Sequence, residues 1–218
     1  MIRFDSDTTR TKGSHRALLT RFANKEADLL VGTQMLTKGL DLPQVTLVGV
    51  IAADGLLHLA DYRASERAFQ TLTQVAGRAG RGEDPGRVIV QTYSPEHPVI
   101  QAVARHEYEP FTAAELEQRA ALNYPPYGRL ILLRLSSTEP EQVEQAALQI
   151  ASLLRSPQAT YEILGPAPAS ILRVANRYRW QILIKIINES NLPNWDEVRS
   201  HCPPTVSLTI DVDPLNMM

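Results

Sequence analysis

The chain has 218 residues, 44% of them apolar and 21% charged, with a net charge of −2. That balance is the composition of a folded globular protein, and the length suggests one large or two small domains at roughly 150 residues each. No run of about 18 apolar residues occurs, and no apolar stretch follows the positive charge of the first ten, so neither a membrane span nor a secretory leader is expected. One cysteine, Cys202, excludes an intramolecular disulfide and a cysteine-rich zinc module. A reducing, cytoplasmic location follows as the default.

The first half reads as alternating helices and short buried strands. Residues 14–26 follow Gly13, carry Ser14 in an N-cap position, and place Leu18, Leu19 and Phe22 on one face. Leu29–Thr33, Thr46–Ile51 and Arg87–Gln91 are short apolar runs. Between the last two, Ala68, Phe69, Leu72, Val75, Ala76 and Ala79 recur at three- and four-residue spacing, which predicts a helix over about 64–79. Such alternation implies βαβ units and a parallel sheet.

Beyond Thr92 the character changes. Helical segments are expected over 99–108 and 111–122, and Tyr124-Pro125-Pro126-Tyr127-Gly128 cannot be helical. The organisation expected is a domain over 1–108, a helical connector over 109–124 and a second domain over 125–218. In the latter, 130–135 reads as a strand and Thr138-Glu139-Pro140-Glu141 as a capping box. The helix it opens has Val143, Ala146, Ala147, Ile150, Leu153 and Leu154 on one stripe. Strands over 161–164 and 180–187, a helix over 192–201 and an alternating strand over 206–212 complete a β-α-β-β-α-β order. That order suggests a small two-layer α+β domain.

Two segments of the first domain carry chemistry. In Gln74-Val75-Ala76-Gly77-Arg78-Ala79-Gly80-Arg81, two arginines three apart and a glutamine one turn earlier share a face. Such a set suits a phosphate whose charge grows in a transition state; helix-terminal cations with glycine caps have the same pattern. The second segment, Gly32-Thr33-Gln34-Met35-Leu36-Thr37-Lys38-Gly39-Leu40-Asp41-Leu42-Pro43, follows a strand, where open parallel sheets bind ligands. There Thr33, Thr37 and Lys38 offer donors to a phosphodiester backbone, and Asp41 offers an acceptor for a ribose hydroxyl or an arginine.

In the second domain, Arg173, Arg177, Arg179 and Lys185 occur without an intervening acid, interleaved with Tyr178 and Trp180. Such a stretch stacks bases, receives an acidic peptide, or simply packs its aromatics while its cations are solvated. Of 22 cationic residues, 18 are arginine, the side chain of bidentate phosphate contact. Asp5 and Asp7 suit a turn better than a metal, the five histidines lack ligand spacing, and Cys202 has no base near it in sequence. No metal site is expected in this chain.

Together and about 30 residues apart, the two segments resemble motifs V and VI of superfamily 2 helicases. Arg3-Phe4-Asp5-Ser6-Asp7-Thr8-Thr9, Gly32 to Met35, Ala53-Asp54 and Asp61-Tyr62-Arg63-Ala64-Ser65-Glu66-Arg67 narrow the resemblance to the PriA family of primosomal DNA helicases. So do Tyr124 to Tyr127, Leu164-Gly165-Pro166, Tyr178-Arg179-Trp180 and Asp211-Val212-Asp213-Pro214. The resemblance implies an α/β fold: a second RecA-like motor lobe followed by the α+β domain.

It further implies that Gln74, Arg78 and Arg81 serve catalysis at the γ-phosphate, and that Gly39 and Asp41 lie near the nucleotide. By the same resemblance Thr33, Gln34, Thr37 and Lys38 track DNA, while Arg177 and Gln181 receive the tail of single-stranded DNA-binding protein. ATP and Mg²⁺ would be used only by a longer protein, whose first lobe carries the phosphate loop. Zinc would belong to a region upstream. The expectation is the C-terminal part of a 3′→5′ helicase of replication restart, acting on forks and single strands with other primosome proteins and unable to hydrolyse ATP alone. The alternative is a stand-alone module binding DNA or single-stranded DNA-binding protein. Leu40 and Leu42 depart from the family, which commonly has a histidine and an aromatic residue there.

Overall fold

The computed structural model describes residues 1–5, 13–33, 42–80, 85–155, 159–187 and 192–217. Contacts divide the chain into two compact units: Met1–Leu59 with Arg63–Phe111, and Ala60–Tyr62 with Thr112–Met218.

The first unit contains β1 (Ile2–Phe4), α1 (Ser14–Ala23), β2 (Leu30–Gly32), β3 (Leu47–Val50), α2 (Asp54–Leu57), α3 (Ala64–Ala76), β4 (Arg87–Val90) and α4 (Pro98–Arg105). The strands pair in parallel, as the alternation of elements predicts. β1 lies on β2 with Ile2 opposite Leu30, and β3 lies on β4 with Leu47 opposite Arg87. Among the described residues these are two separate two-stranded sheets. The core forms where Ala68, Phe69 and Leu72 of α3 meet Ala53, Leu57 and, on α4, Val99, Ala102 and Val103. Phe69 stacks on Phe111 with centroids 4.4 Å apart. Only one side of β3 and β4 faces this cluster; Leu47 and Ile89 on the other are 58% and 53% exposed.

Local backbone chemistry moves several boundaries. Gly13, with φ of +92°, caps α1 in place of Ser14, which is its first helical residue. The helix ends at Ala23, and Lys25 turns the chain at φ +61°. The helix α3 ends at Ala76, three residues short of expectation, because Gly77 and Gly80 remove side-chain support and the Gly80 N–H is taken by the Val45 carbonyl at 3.0 Å. The short helix α2 has no stripe long enough to be seen in the sequence.

The end of α5 (Tyr108–Ala121) leads into the second unit, built from β5 (Arg129–Ser137), α6 (Pro140–Leu154), β6 (Tyr161–Val174), β7 (Arg177–Ile186), α7 (Trp195–Ser200) and β8 (Ser207–Val212). The sheet order is β6-β7-β5-β8, with every neighbour antiparallel. Ile131, Leu133 and Leu135 of β5 and Ile182, Ile184 and Ile186 of β7 pack against Val143, Ala146, Ala147, Ile150 and Leu154 of α6 and Val198 of α7. Each large side chain buried there contributes about 1.5–3 kcal/mol relative to exposure. The Tyr161 hydroxyl donates to the Leu154 carbonyl at 2.9 Å, and burial pushes its pKa up.

On the opposite sheet face Leu130 and Leu132 meet Met217, with Tyr62, Tyr124 and Leu183 against them. Tyr62 and Tyr124 stack at 5.3 Å and 5°. The Arg119 guanidinium lies over Tyr62 and the Lys185 ammonium 4.3 Å from the Tyr124 ring.

Two expectations fail in this unit. The capping box does not form: Glu139 is the N-cap, without a side-chain cap, while Ser137 Oγ accepts from the Glu139 N–H at 3.3 Å. Pro140 at the first turn has no N–H to satisfy, and its fixed φ sets the helix start one residue later. The strand expected over 161–164 runs on to Val174 as β6, through Pro166 and Pro168. Those prolines are tolerated because β6 is an edge strand with register shifts between Leu164 and Ala167 and between Pro168 and Arg173.

Candidate functional site

Parallel pairing puts the carboxyl ends of β3 and β4 side by side, and the chain beyond each is hydrogen-bonded to the other. Thr92 Oγ1 donates to Asp54 Oδ1 at 2.9 Å, and the Tyr93 N–H reaches both carboxylate oxygens at 3.2 Å. The Ser94 N–H in turn donates to Thr92 Oγ1 at 3.0 Å. Partial burial pushes the Asp54 pKa up. The hydrogen bonds from Thr92, Tyr93 and its own backbone, with the charge of His58, outweigh that and hold the carboxyl below its ordinary 3.8. Thr33, the first expected DNA contact, is exposed just past the carboxyl end of β2.

The amino ends of β3 and β4 lie beside the arginine segment. Gln74 is exposed on the last turn of α3, and the half-buried Arg78 follows the Gly77 C-cap. The Arg78 and Ala79 N–H groups bond Val75 and Ala76, so the chain keeps turning past the helix end. Gly80 bonds Val45 and Arg87 bonds Thr46, which fastens this segment where both strands begin. The structure thus brings Gln74 and Arg78 within one turn of each other. Arg81, Gln34, Thr37, Lys38, Gly39 and Asp41 lie outside the described residues.

In the second unit, β7 alternates. Tyr178 and Trp180 pack towards α6, and Arg173 covers the Tyr178 ring at 5.1 Å, so neither aromatic is offered to a base. Arg177, Arg179 and Gln181 share the other face with Leu183 and Lys185. Arg177 Nε donates to Ser136 Oγ at 3.1 Å and its second nitrogen to the Ser136 carbonyl at 2.6 Å. Gln181 lies opposite Arg134, which is bonded to Asp211 at 2.7 Å.

Lys185, part of the cationic stretch in the sequence, is a structural residue. It is 5% exposed, donates to the Leu122 carbonyl at 3.2 Å, and pairs with Glu162 at 3.4 Å. Burial pushes the Cys202 thiol up, and its Sγ donates to the Val206 carbonyl at 3.4 Å, which suits a packed thiol rather than a nucleophile. Among the described residues no three His, Cys, Asp or Glu side chains are grouped to hold a metal ion, and no helix is long and apolar enough to cross a membrane. The Asp54–Thr92 link has no signal in the sequence, and Arg179, named there only as part of the cationic stretch, is placed beside Gln181 by the period-two alternation of β7.

Residues 3–83 match the helicase conserved C-terminal domain family, and residues 120–215 the primosomal protein N C-terminal domain family. An α/β unit of the helicase C-terminal class, continued by a primosomal C-terminal domain, is therefore the class of protein defined by this fold and these motifs. The replication restart protein PriA of Synechocystis sp. is 64% identical over 220 residues, which cover 99% of this chain and 26% of that protein. The PriA of Bacillus subtilis is 44% identical over 225 residues, covering 100% of this chain and 28% of that protein, and that of Haemophilus influenzae is 34% identical over 222 residues, covering 100% and 30%. The chain belongs to the PriA family, and it spans between a quarter and a third of the length of these relatives.

Proposed function

We propose that this chain is the second RecA-like motor lobe and C-terminal α+β domain of a PriA-type ATP-dependent 3′→5′ DNA helicase, which acts in replication restart and primosome assembly. What carries the reading is the end-to-end similarity to PriA proteins together with Gln74 and Arg78 one turn apart where β3 and β4 begin. The lobe is taken as 1–108, the connector as 109–124 and the second domain as 125–218. The exposed apolar side of the β3–β4 pair supports a lobe completed by further chain, because parallel strands are ordinarily covered on both faces. For the second domain, the split order β6-β7-β5-β8 with α6 and α7 in one cluster supports a two-layer arrangement.

In the complete protein, Gln74, Arg78 and Arg81 reach the γ-phosphate of ATP bound against the other lobe, and Gly39 and Asp41 lie near the nucleotide. Planar guanidinium forks fit phosphate oxygens bidentately and stabilise charge as it develops. Thr33, Gln34, Thr37 and Lys38 contact the backbone of one DNA strand, and Arg177 and Gln181 belong to a face that receives the acidic tail of single-stranded DNA-binding protein. By the family resemblance, Mg²⁺ and the phosphate loop belong to the first lobe of the complete protein and zinc to the region upstream. The 218-residue chain alone should not hydrolyse ATP.

The test is Arg81→Ala and Arg78→Ala in the full-length protein. DNA-stimulated ATPase should be abolished while DNA binding, read by fluorescence anisotropy, is kept. Unchanged turnover in both would refute the assignment.

A further inference from the structure

Tyr93 lies three residues past the last residue of β4, at the end of the strand pair opposite the arginine segment. It is 95% exposed, and among the described residues its ring meets no other aromatic ring or cation and its hydroxyl has no hydrogen bond. The backbone that carries it is nevertheless tightly held. The Gln91 N–H donates to the Val50 carbonyl at 2.8 Å and the Ala53 N–H to the Gln91 carbonyl at 3.0 Å. Asp54 accepts from the Tyr93 N–H and the Thr92 hydroxyl, Thr92 Oγ1 accepts from the Ser94 N–H, and the Ser94 carbonyl accepts from the His97 N–H. The Gln101 amide then donates to the Pro95 carbonyl at 2.9 Å. Ala52, at the start of this network, has a φ of +53°, a left-handed conformation that alanine adopts only under constraint.

An exposed loop ordinarily keeps its conformational freedom, and ordering it on binding opposes affinity. Here the order is already present, with a strained residue retained at the carboxyl ends of parallel strands, where open α/β sheets bind ligands. We propose that Tyr93 is a stacking platform for an unpaired base of the DNA strand on which the lobe acts. Every base offers a π-face whatever the sequence, which suits a motor that must grip each nucleotide alike. The contact is to the base, so it complements the backbone contacts of Thr33 and Lys38 and needs no cation beside it. This rests on the reading of the first unit as a motor lobe acting on DNA.

Two other occupants fit the ring less well. The adenine of ATP would have to lie at the far end of β3 and β4 from Gln74 and Arg78, roughly 13 Å away along strands of four residues. Burial under an apolar protein segment would take the Tyr93 hydroxyl and the neighbouring Asp54 carboxylate out of water. A base stacked on the ring leaves both hydrated.

The experiment uses the full-length protein and single-stranded thymidine oligonucleotides carrying one 2-aminopurine at successive positions, whose emission falls when that base stacks. Measured without ATP, so that the strand is not moved, one position should be quenched on binding. The quench should be lost in Tyr93→Ala and Tyr93→Leu and kept in Tyr93→Phe. In the ATPase assay, the DNA concentration for half-maximal stimulation should rise about fivefold or more in Tyr93→Ala, the worth of one stacked base. An unchanged quench and an unchanged DNA requirement in Tyr93→Ala overturn the assignment of Tyr93 and leave the motor reading standing. Rescue by Tyr93→Leu equal to that by Tyr93→Phe overturns it in favour of apolar packing. A rise in KM for ATP larger than the rise in DNA requirement overturns it in favour of the nucleotide. No DNA-stimulated turnover by the unmutated protein overturns the motor reading itself.

Discussion

Thr92 Oγ1 donates a 2.9 Å hydrogen bond to Asp54 Oδ1, joining the chain just after β4 to the first residue of α2. Two adjacent parallel strands thereby have their exits locked together by one carboxylate, which also accepts from the Tyr93 N–H. The bonds need the ionised form. Because the folded-state pKa is held below its ordinary value, the group stabilises the fold above the usual carboxylate range and loses that contribution as pH falls through the folded value. Asp54→Asn should therefore lower Tm at pH 7, and the gap to the unmutated chain should shrink as scans are taken below pH 4. A gap that is the same at pH 3 and pH 7 would contradict this.

Gly80 and Gly86 bring two backbones together. A Cβ at Gly80 would lie 2.3 Å from the Gly86 amide nitrogen, and Gly80 has φ +72° besides. Gly80→Ala should destabilise the first unit by about 2 kcal/mol or more, since both the contact and the left-handed backbone resist a side chain. Gly55→Ala, where a Cβ meets open space, is the control. Urea denaturation of both variants provides the comparison.

Leu133 is fully buried between the β5–β7 sheet and α6. Leu133→Ala should cost about 2–5 kcal/mol, because the close-packed cluster cannot collapse into the space left. Leu148, on the same helix-bearing unit but 52% exposed, should change stability by less than about 0.5 kcal/mol when replaced by Ala. Similar losses in the two variants would show that the cluster is not the core of the unit.

Tyr62, which lies between α2 and α3 in sequence, belongs to the second unit and stacks there on Tyr124. Tyr62→Ala should lower stability, and a double-mutant cycle with Tyr124→Ala should give a coupling of about 0.5–1.5 kcal/mol, the usual worth of an aromatic pair. Tyr62→Phe keeps the stacked ring and should keep most of the coupling. Additive losses across the cycle would remove the pair as a stabilising contact.

What the sequence determined by itself was whatever depends on near neighbours. The stripe of Ala68, Phe69 and Leu72 on α3, that of Val143, Ala146, Ala147 and Ile150 on α6, and the short apolar runs of β2, β3 and β4 are local periodicities. Each survives in the fold because a helix or strand presents the same residues to any core it meets. The segment Gln74 to Gly80 was equally recognisable as a motif, since a motif consists of residue types at fixed spacing.

Only tertiary structure decided the rest. The length of β6 was hidden because its prolines are acceptable on an edge strand, and edge position is set by pairing with β7. That Lys185 is a buried structural cation, that Tyr178 and Trp180 face the helices, and that Arg177 is held by Ser136 while Arg179 is not, all depend on partners distant in sequence, 63 residues away for Lys185 and Leu122 and 41 for Arg177 and Ser136. A side chain's charge is written in the chain. Whether that charge is neutralised by the protein or left for a ligand depends on which distant groups the sheet register brings within hydrogen-bonding distance.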